Sequence, residues 1–450
     1  MGTQMLKLRK QYGSIFSFKY GQLESVLISD PKVLKQVLAS DDSAARPHLY
    51  YTTNLVYMNQ NIGLICSEGD PWKEQRRFCL KSMRDFGFGK TSMEVSIMAE
   101  LEDLVGSLKP ADAKAGESFV TQLDERVAAT VLNSLWMIVA GSRLHLDDPE
   151  FQHTLKIIQI EFNPAIIASM FPSFIPFLPM KLIGMGPERR NGIQRSYAWM
   201  KAFVDHHKET LDPSSSRDFV DAYLIEQIRL KESGNSDHSF TDLNLQAVLF
   251  DLFVTGAETT STGLKWFFLY MVEHPEIQAK VHEEIEAVIG VRAPEWNDHL
   301  KMHYTQAAIH EMWRIPSVAP AGIEHLLLKD KEIGGYLIPK GTMIQGLIYA
   351  IHTDPTYWKD PMLYNPNRFL NESGEFHIEH KDAYLPFEIG KRQCLGENVA
   401  RITTFLAVAT LLQKFRFRKV PGKKYNLEPK PNSNVVNGPF PYEVLVEVWE

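Results

Sequence analysis

Residues 242–274, DLNLQAVLFDLFVTGAETTSTGLKWFFLYMVEH, read as one long helix that is apolar on nearly every face. Such a helix is stable only with protein packed around it, so it must cross the interior of a large domain. The chain has the material for one: 450 residues, 44% of them hydrophobic, enough to bury a sizeable core. In the middle of the run lies an acid–alcohol pair, Glu258–Thr259. Burying these groups costs free energy unless they are hydrogen-bonded. A mid-helix threonine often bonds back to the carbonyl four residues earlier and bends the helix.

The remaining pattern is helical for the most part. Residues 15–29 read as two short strands about a glycine turn, and DPKVLKQVLAS follows as a helix. Apolar spacing of three and four predicts helix from about 71 to 142, and two more helices over 190–232, broken at DPSSSRD. Beyond residue 325 come short strands and turns, then a last helix after Cys394 and an alternating strand in PFPYEVLVEVW. No repeat and no linker divides the chain. The expectation is one domain over residues 1–450, mainly α with a minor β region. A formal net charge of -7 argues against a nucleic-acid binder, which would carry a basic excess. Three cysteines without regular spacing argue against a disulfide framework and point to a reducing compartment. The N-terminus has no apolar run of the ~20 residues that a membrane span needs.

One cysteine stands in unusual company. In PFEIGKRQCLGENVA, Cys394 is flanked by Gly390 and Gly396, Arg392 and Phe387. A lone cysteine is most often a small buried hydrophobe. Here, however, the glycines permit a tight loop whose backbone approaches a flat ligand. Arg392 offers a two-pronged guanidinium for a carboxylate, and Phe387 can shield the sulfur. The helix that follows would stabilise a thiolate at its N-terminus. A cysteine thiolate is one of the axial ligands known for haem iron.

These residues match F-x-x-G-x-R-x-C-x-G, and in this the chain resembles the cytochrome P450 family. Three further motifs support the resemblance in the expected order. Glu311 and Arg314 in EMWR resemble the family's E-x-x-R, with Arg368 of YNPNRF as the downstream partner. The role implied is structural, holding the proximal side of the haem, although Asn367 stands where the family usually has an acid. Trp72 and Arg76 in WKEQRRF resemble the pair that holds a haem propionate, and His325 is a further propionate candidate. VTGAETTST resembles the family's acid–threonine motif, which kinks over the haem, with Gly256 keeping the space for dioxygen. RPHLYYTTNLVYMNQNIGLI, RDFVDAYL and DPTYWKDP look like the microsomal, family-2-like branch.

The resemblance implies a single haem domain with the long helix over haem b. Cys394 would ligate the iron and favour O–O cleavage, while Glu258 and Thr259 relay protons. The implied activity is monooxygenation of a lipophilic substrate: steroid, fatty acid, terpenoid or xenobiotic. Electrons would come from NADPH through cytochrome P450 reductase, with cytochrome b5 as a second donor. Lys73, Arg77, Lys81, Arg84, Lys90 and Lys391 would form the basic face that meets the reductase. The pocket would be lined by Tyr57, Ile62 and Leu64, by Phe253, Val254 and Ala257, and by Val318, Ala319 and Phe440. The apolar, proline-rich 166–180 segment resembles a region that dips into the bilayer. The implied location is the cytoplasmic face of the endoplasmic reticulum membrane, the front of the chain being expected to lack the family's membrane helix. Two other readings stay open: a reductase-independent haem-thiolate isomerase or dehydratase of peroxides, and a non-catalytic haem or ligand binder.

Overall fold

The computed structural model describes residues 2–20, 23–49, 56–86, 91–110, 112–145, 148–161, 187–431 and 435–449. The 166–180 segment and Lys90 lie outside them, as does the side chain of Ala257.

The chain enters through α1 (Gly2–Tyr12), β1 (Ile15–Tyr20), β2 (Leu23–Ile28) and α2 (Pro31–Leu38). Helix α2 starts where the sequence says it should. Proline occupies its first turn, and the Asp30 carboxylate accepts hydrogen bonds from the Lys32 and Val33 amides, satisfying donors that a helix start leaves open. Helices α3 (Gly69–Asp85), α4 (Thr91–Ser107), α5 (Asp124–Ala140) and α6 (Pro149–Glu161) follow. Between α4 and α5 lies a strand, β3 (Ser118–Gln122), which the helical reading of 71–142 missed. Its alternation is real but its faces are only half-buried or exposed, so the hydrophobic signal is weak.

After α7 (Pro187–Thr210) and α8 (Phe219–Glu232) comes α9 (Asp242–Glu273), the long helix, capped by the Thr241 side chain on the Asn244 amide. Then come α10 (Pro275–Val288), α11 (His303–Arg314), β4 (His325–Leu326), β5 (Lys331–Ile333), β6 (Tyr336–Ile338), β7 (Met343–Gly346), α12 (Ile348–His352), α13 (Glu397–Lys414), β8 (Phe415–Arg418) and β9 (Glu443–Val448). The strands form a four-stranded sheet β1-β2-β7-β4, a three-stranded sheet β3-β9-β8 and the β5-β6 hairpin.

Helix α9 organises the core. Its first half, Leu245 to Val254, packs with α5, α7 and α8; its second half, Leu264 to Val272, packs with α11 and α13. Trp136 of α5 stacks on Trp199 of α7 with ring centres 5.8 Å apart, and Phe253 of α9 meets both rings edge-on at 5.3 and 5.4 Å. Burying side chains of this size contributes about 1.5–3 kcal/mol each. Among the described residues no helix is long and apolar enough to cross a membrane.

Candidate cofactor and catalytic site

The proximal side rests on a buried ion cluster. Arg314 grips Glu311 through two bonds of 2.7 and 2.8 Å, and neither side chain reaches solvent. Arg368 reaches the same carboxylate at 3.1 Å. Arg314 spends its remaining donors on the carbonyls of His352 and Pro361, so the buried charges are satisfied as such groups must be. The acid missing at Asn367 is not needed: Asn367 is exposed, and Arg368 pairs with Glu311 instead.

Above this cluster the Phe387–Cys394 loop turns back on itself, with the Cys394 amide donating to the Phe387 carbonyl at 3.0 Å. The Phe387 ring is braced by Trp313 at 5.2 Å and by the Arg401 guanidinium at 5.2 Å. Gly390 takes φ +85°, and a Cβ there would collide with the Leu38 carbonyl. The close approach it permits is therefore to α2, not to a ligand. Gly396 has open space where a Cβ would stand. The thiolate expected at a helix start is not favoured by the protein alone. Helix α13 begins at Glu397, and burial pushes the Cys394 thiol up to about 11 despite the nearby Gly396 amide and Arg76. Cys394 still reaches solvent; an atom on the wall of a recess is both accessible and poorly hydrated. At neutral pH the group is a thiol until a metal displaces the proton.

Beside the loop, three guanidiniums crowd together. Arg392 donates to the carbonyls of Ala44, Leu64 and Ser67 at 2.8, 3.2 and 2.5 Å and lies 3.8 Å over the Trp72 ring. The fork thus docks two loops rather than a carboxylate of the protein. Arg76 donates to the Gln393 carbonyl at 2.5 Å, and Arg46 to the carbonyls of Ile65, Ile323 and Glu324. Among the described residues all these donors meet neutral carbonyl oxygens. Burial, with repulsion from Arg46 and Arg76, brings Arg392 down to about 8. His325, 1% exposed, binds the Ser43 carbonyl through Nδ1 at 2.6 Å and has a bare Nε2. A cluster of guanidiniums hydrogen-bonded to neutral carbonyls, an orphaned imidazole nitrogen and an accessible thiol suit a group bearing carboxylates and a metal. Haem b fits that donor set.

On α9, the Thr259 hydroxyl donates to the Thr255 carbonyl at 2.8 Å and that of Thr255 to the Asp251 carbonyl at 2.7 Å. Glu258 is half-buried, with Thr262 at 3.4 Å from its carboxylate. Gly256 does not face open space, since a Cβ there would collide with Leu135 of α5.

Two turns before Thr259 stands a residue that the sequence reading passed over. Asp251, 2% exposed, accepts the Tyr57 hydroxyl at 2.5 Å and the amides of Leu64 and Ile65 at 2.5 and 3.1 Å. It pins the 57–65 loop to α9. Gly63 has to be a glycine here, with φ +78° and a Cβ that would come within 2.6 Å of the same carboxylate. A lone acid inside LFDLF was the signal. Tyr57 therefore anchors the loop rather than lining a pocket with its hydroxyl, and Phe253 points into the aromatic core described above. Ile62 and Val254 are buried, Leu64, Val318 and Phe440 half-buried, and Ala319 exposed. Asn437 ties the last two loops together: its amide donates to the Val318 carbonyl, its side chain to that of Pro316, and Trp266 of α9 donates to its own carbonyl, each at 2.8 Å.

Burial lifts the Asp251 carboxyl to about 6, above its ordinary value near ~3.9 in an unfolded chain. The folded protein then holds this proton more tightly, so its contribution is full below about pH 4 and is lost as pH rises through about 6. Two units correspond to about 3 kcal/mol. Asp251→Asn should keep the two amide bonds on its side-chain oxygen, with the third bond reversed so that its NH2 donates to the Tyr57 hydroxyl, and should flatten this part of the pH profile. Asp251→Ala should cost about 3 kcal/mol at pH 7 by orphaning buried donors. Urea unfolding between pH 5 and 8 checks both, and identical profiles for wild type and Asp251→Asn would refute the assignment.

Comparison with known proteins agrees with this geometry. The sequence profile of the family described as Cytochrome P450 matches residues 1–446. Similar proteins include Cytochrome P450 2L1 of Panulirus argus, 33% identical over 100% of this chain and 91% of its own. Cytochrome P450 2J2 of Homo sapiens is 37% identical over 93% of this chain and 82% of its own. Cytochrome P450 2D26 of Rattus norvegicus is 35% identical over 99% and 88%. With the thiol-bearing loop, the buried Glu311–Arg314–Arg368 cluster and the acid–threonine pair assembled around one long helix, the chain belongs to the cytochrome P450 family, on its family-2-like side.

Proposed function

We propose that this cytochrome P450 monooxygenase acts as one catalytic domain over residues 1–450, with Cys394 as the iron ligand. Trp72, Arg76, Arg392 and His325 hold the haem carboxylates, Phe387 covers the sulfur, and Gly390 and Gly396 shape the loop. Haem, when bound, supplies the chemistry of dioxygen activation. The substrate is a lipophilic small molecule of the steroid, fatty acid, terpenoid or xenobiotic kind. Ile62, Leu64, Val254, Val318, Ala319 and Phe440 form its walls. Glu258 and Thr259 hold and move the proton that oxygen cleavage consumes.

The observation that carries this reading is the Thr259 hydroxyl. Its proton is committed to the Thr255 carbonyl at 2.8 Å, which leaves its oxygen free to accept a hydrogen bond. Such an acceptor positions a proton donor, a role that rearrangement of a peroxide does not require. Electrons come from NADPH through cytochrome P450 reductase, with cytochrome b5 as a second donor. The exposed Lys73, Arg77, Lys81 and Arg84 on α3, with Lys391, support a basic docking face. Lys73 and Lys391 are partly offset by Asp70 at 3.2 Å and Asp41 at 3.5 Å. Opposite charge on the partner would raise the encounter rate more than the affinity. The protein works at the membrane surface, on the cytoplasmic face of the endoplasmic reticulum.

The test combines a screen of lipophilic ligands by shift of the haem absorption band with product analysis. Hydroxylated product should require NADPH, reductase and dioxygen together. Turnover of a lipid hydroperoxide with none of them present would favour the isomerase or dehydratase reading, and haem binding without any turnover the ligand-binder reading.

A further inference from the structure

Glu388 lies in the Phe387–Cys394 loop, four residues before Arg392. It is one of few non-glycine residues at positive φ, +58°. That conformation is unfavourable for a glutamate. It turns the side chain inward, where it is 13% exposed and its Oε1 has no hydrogen-bond partner. Room for that oxygen is made by Gly322, where a Cβ would collide with it. The atom 3.9 Å away is the other orphan, the bare Nε2 of His325. Two buried, unpartnered polar atoms thus face the same small space, from β4 and from the loop.

The tautomer of His325 makes the pairing informative. Nδ1 faces the Ser43 carbonyl at 2.6 Å, and a carbonyl can only accept, so the proton of a neutral ring sits on Nδ1. Nε2 is then a lone pair turned toward a carboxylate. It can bind an anion only after taking up a second proton. Burial and Arg46 work against that proton, and Glu388 works for it. The charged groups facing the ring are Arg46 from the 44–47 segment and Glu388, with Glu324 beside β4 acting on Arg46.

We propose that Glu388 and His325 form a proton-holding pair in the haem-carboxylate pocket, with His325 bound as imidazolium and donating to the cofactor carboxylate while Glu388 balances its charge. This rests on the reading of the loop as the haem site. One proton adds to Nε2, and no bond other than N–H is made. Glu388 is a positioning residue: it acts on the cofactor through His325.

The experiment measures transfer of haem from the holoenzyme to apomyoglobin from pH 6 to pH 9, for wild type and Glu388→Gln. The ratio of the two rates cancels the groups that Glu388 does not touch, and a His325→Asn background corrects for its influence on Cys394 and Arg46. The ratio should be closest to one at the acid end of the range, and should rise several-fold toward the alkaline end, because the imidazole that lacks Glu388 gives up its proton first. In a His325→Asn background the same ratio should be flat. Gly322→Ala, which displaces the carboxyl without changing it chemically, should reproduce the rise if Glu388→Gln loads no haem. A ratio independent of pH, whatever its size, would reduce Glu388 to a structural residue and overturn the pair. Failure of wild type to hold haem would instead strike the haem reading itself.

Discussion

Replacing Cys394 with alanine should abolish the reduced carbon monoxide band characteristic of thiolate ligation. The other two cysteines cannot substitute. Cys79 is fully buried in α3 and burial drives its thiol far up. Cys66 is half-buried on the loop that Arg392 docks. Haem retention should fall as well. Losing an outer-shell partner typically costs roughly 10–100-fold in metal affinity, and losing the ligand itself should cost more. Because the free thiol sits near 11, metal uptake at neutral pH must release its proton. Cys66→Ala and Cys79→Ala should keep the band, with Cys79→Ala losing about 1 kcal/mol of stability to the cavity. A Cys394→Ala protein with the thiolate band intact would end the assignment.

The motifs were legible because each is a local arrangement. Glu311 and Arg314 are three residues apart on one helix, so their pairing follows from helical spacing, and α11 realises it with both side chains fully buried. The long helix was legible for the same reason. What the sequence concealed are contacts between distant segments. Nothing near Arg392 says that its donors go to Ala44, Leu64 and Ser67. Nothing near Gly256 says that Leu135 stands against it. Phe253 looked like a pocket residue because a core helix next to a site presents apolar residues on every side, and only the positions of Trp136 and Trp199 reveal which side it faces. Asp251 is the opposite case. An acid in an apolar run announces a partner, but the partner lay on a loop nearly 190 residues upstream.

The same long-range contacts explain how so long a helix can carry chemistry. Asp251 fixes the 57–65 loop on one side of α9. Asn437 joins the 316–318 loop and the 437–440 loop to Trp266 on the same helix. The walls that would meet a substrate are therefore referenced to one element, the one that also carries Glu258 and Thr259. Preorganisation of this kind matters because a positioned group acts only at short range.

Thr259→Ala separates positioning from packing. The substitution removes the hydroxyl bonded to the Thr255 carbonyl and leaves a helix-favouring residue, so α9 should persist. Haem, substrate and dioxygen should still bind. The proton should no longer arrive where oxygen cleavage needs it, and NADPH consumption should shift from product toward hydrogen peroxide. Loss of one positioned acid–base group usually costs about 10²–10⁴-fold in the step it serves. Glu258→Gln should slow the same step, with its half-buried carboxylate replaced by an amide that the Thr262 hydroxyl can still approach. A purely structural threonine predicts a different result: lower stability or weaker haem retention, with the ratio of product to NADPH unchanged. Measuring that ratio together with peroxide decides between the two, and a well-coupled Thr259→Ala enzyme would remove the hydroxyl from the proton path.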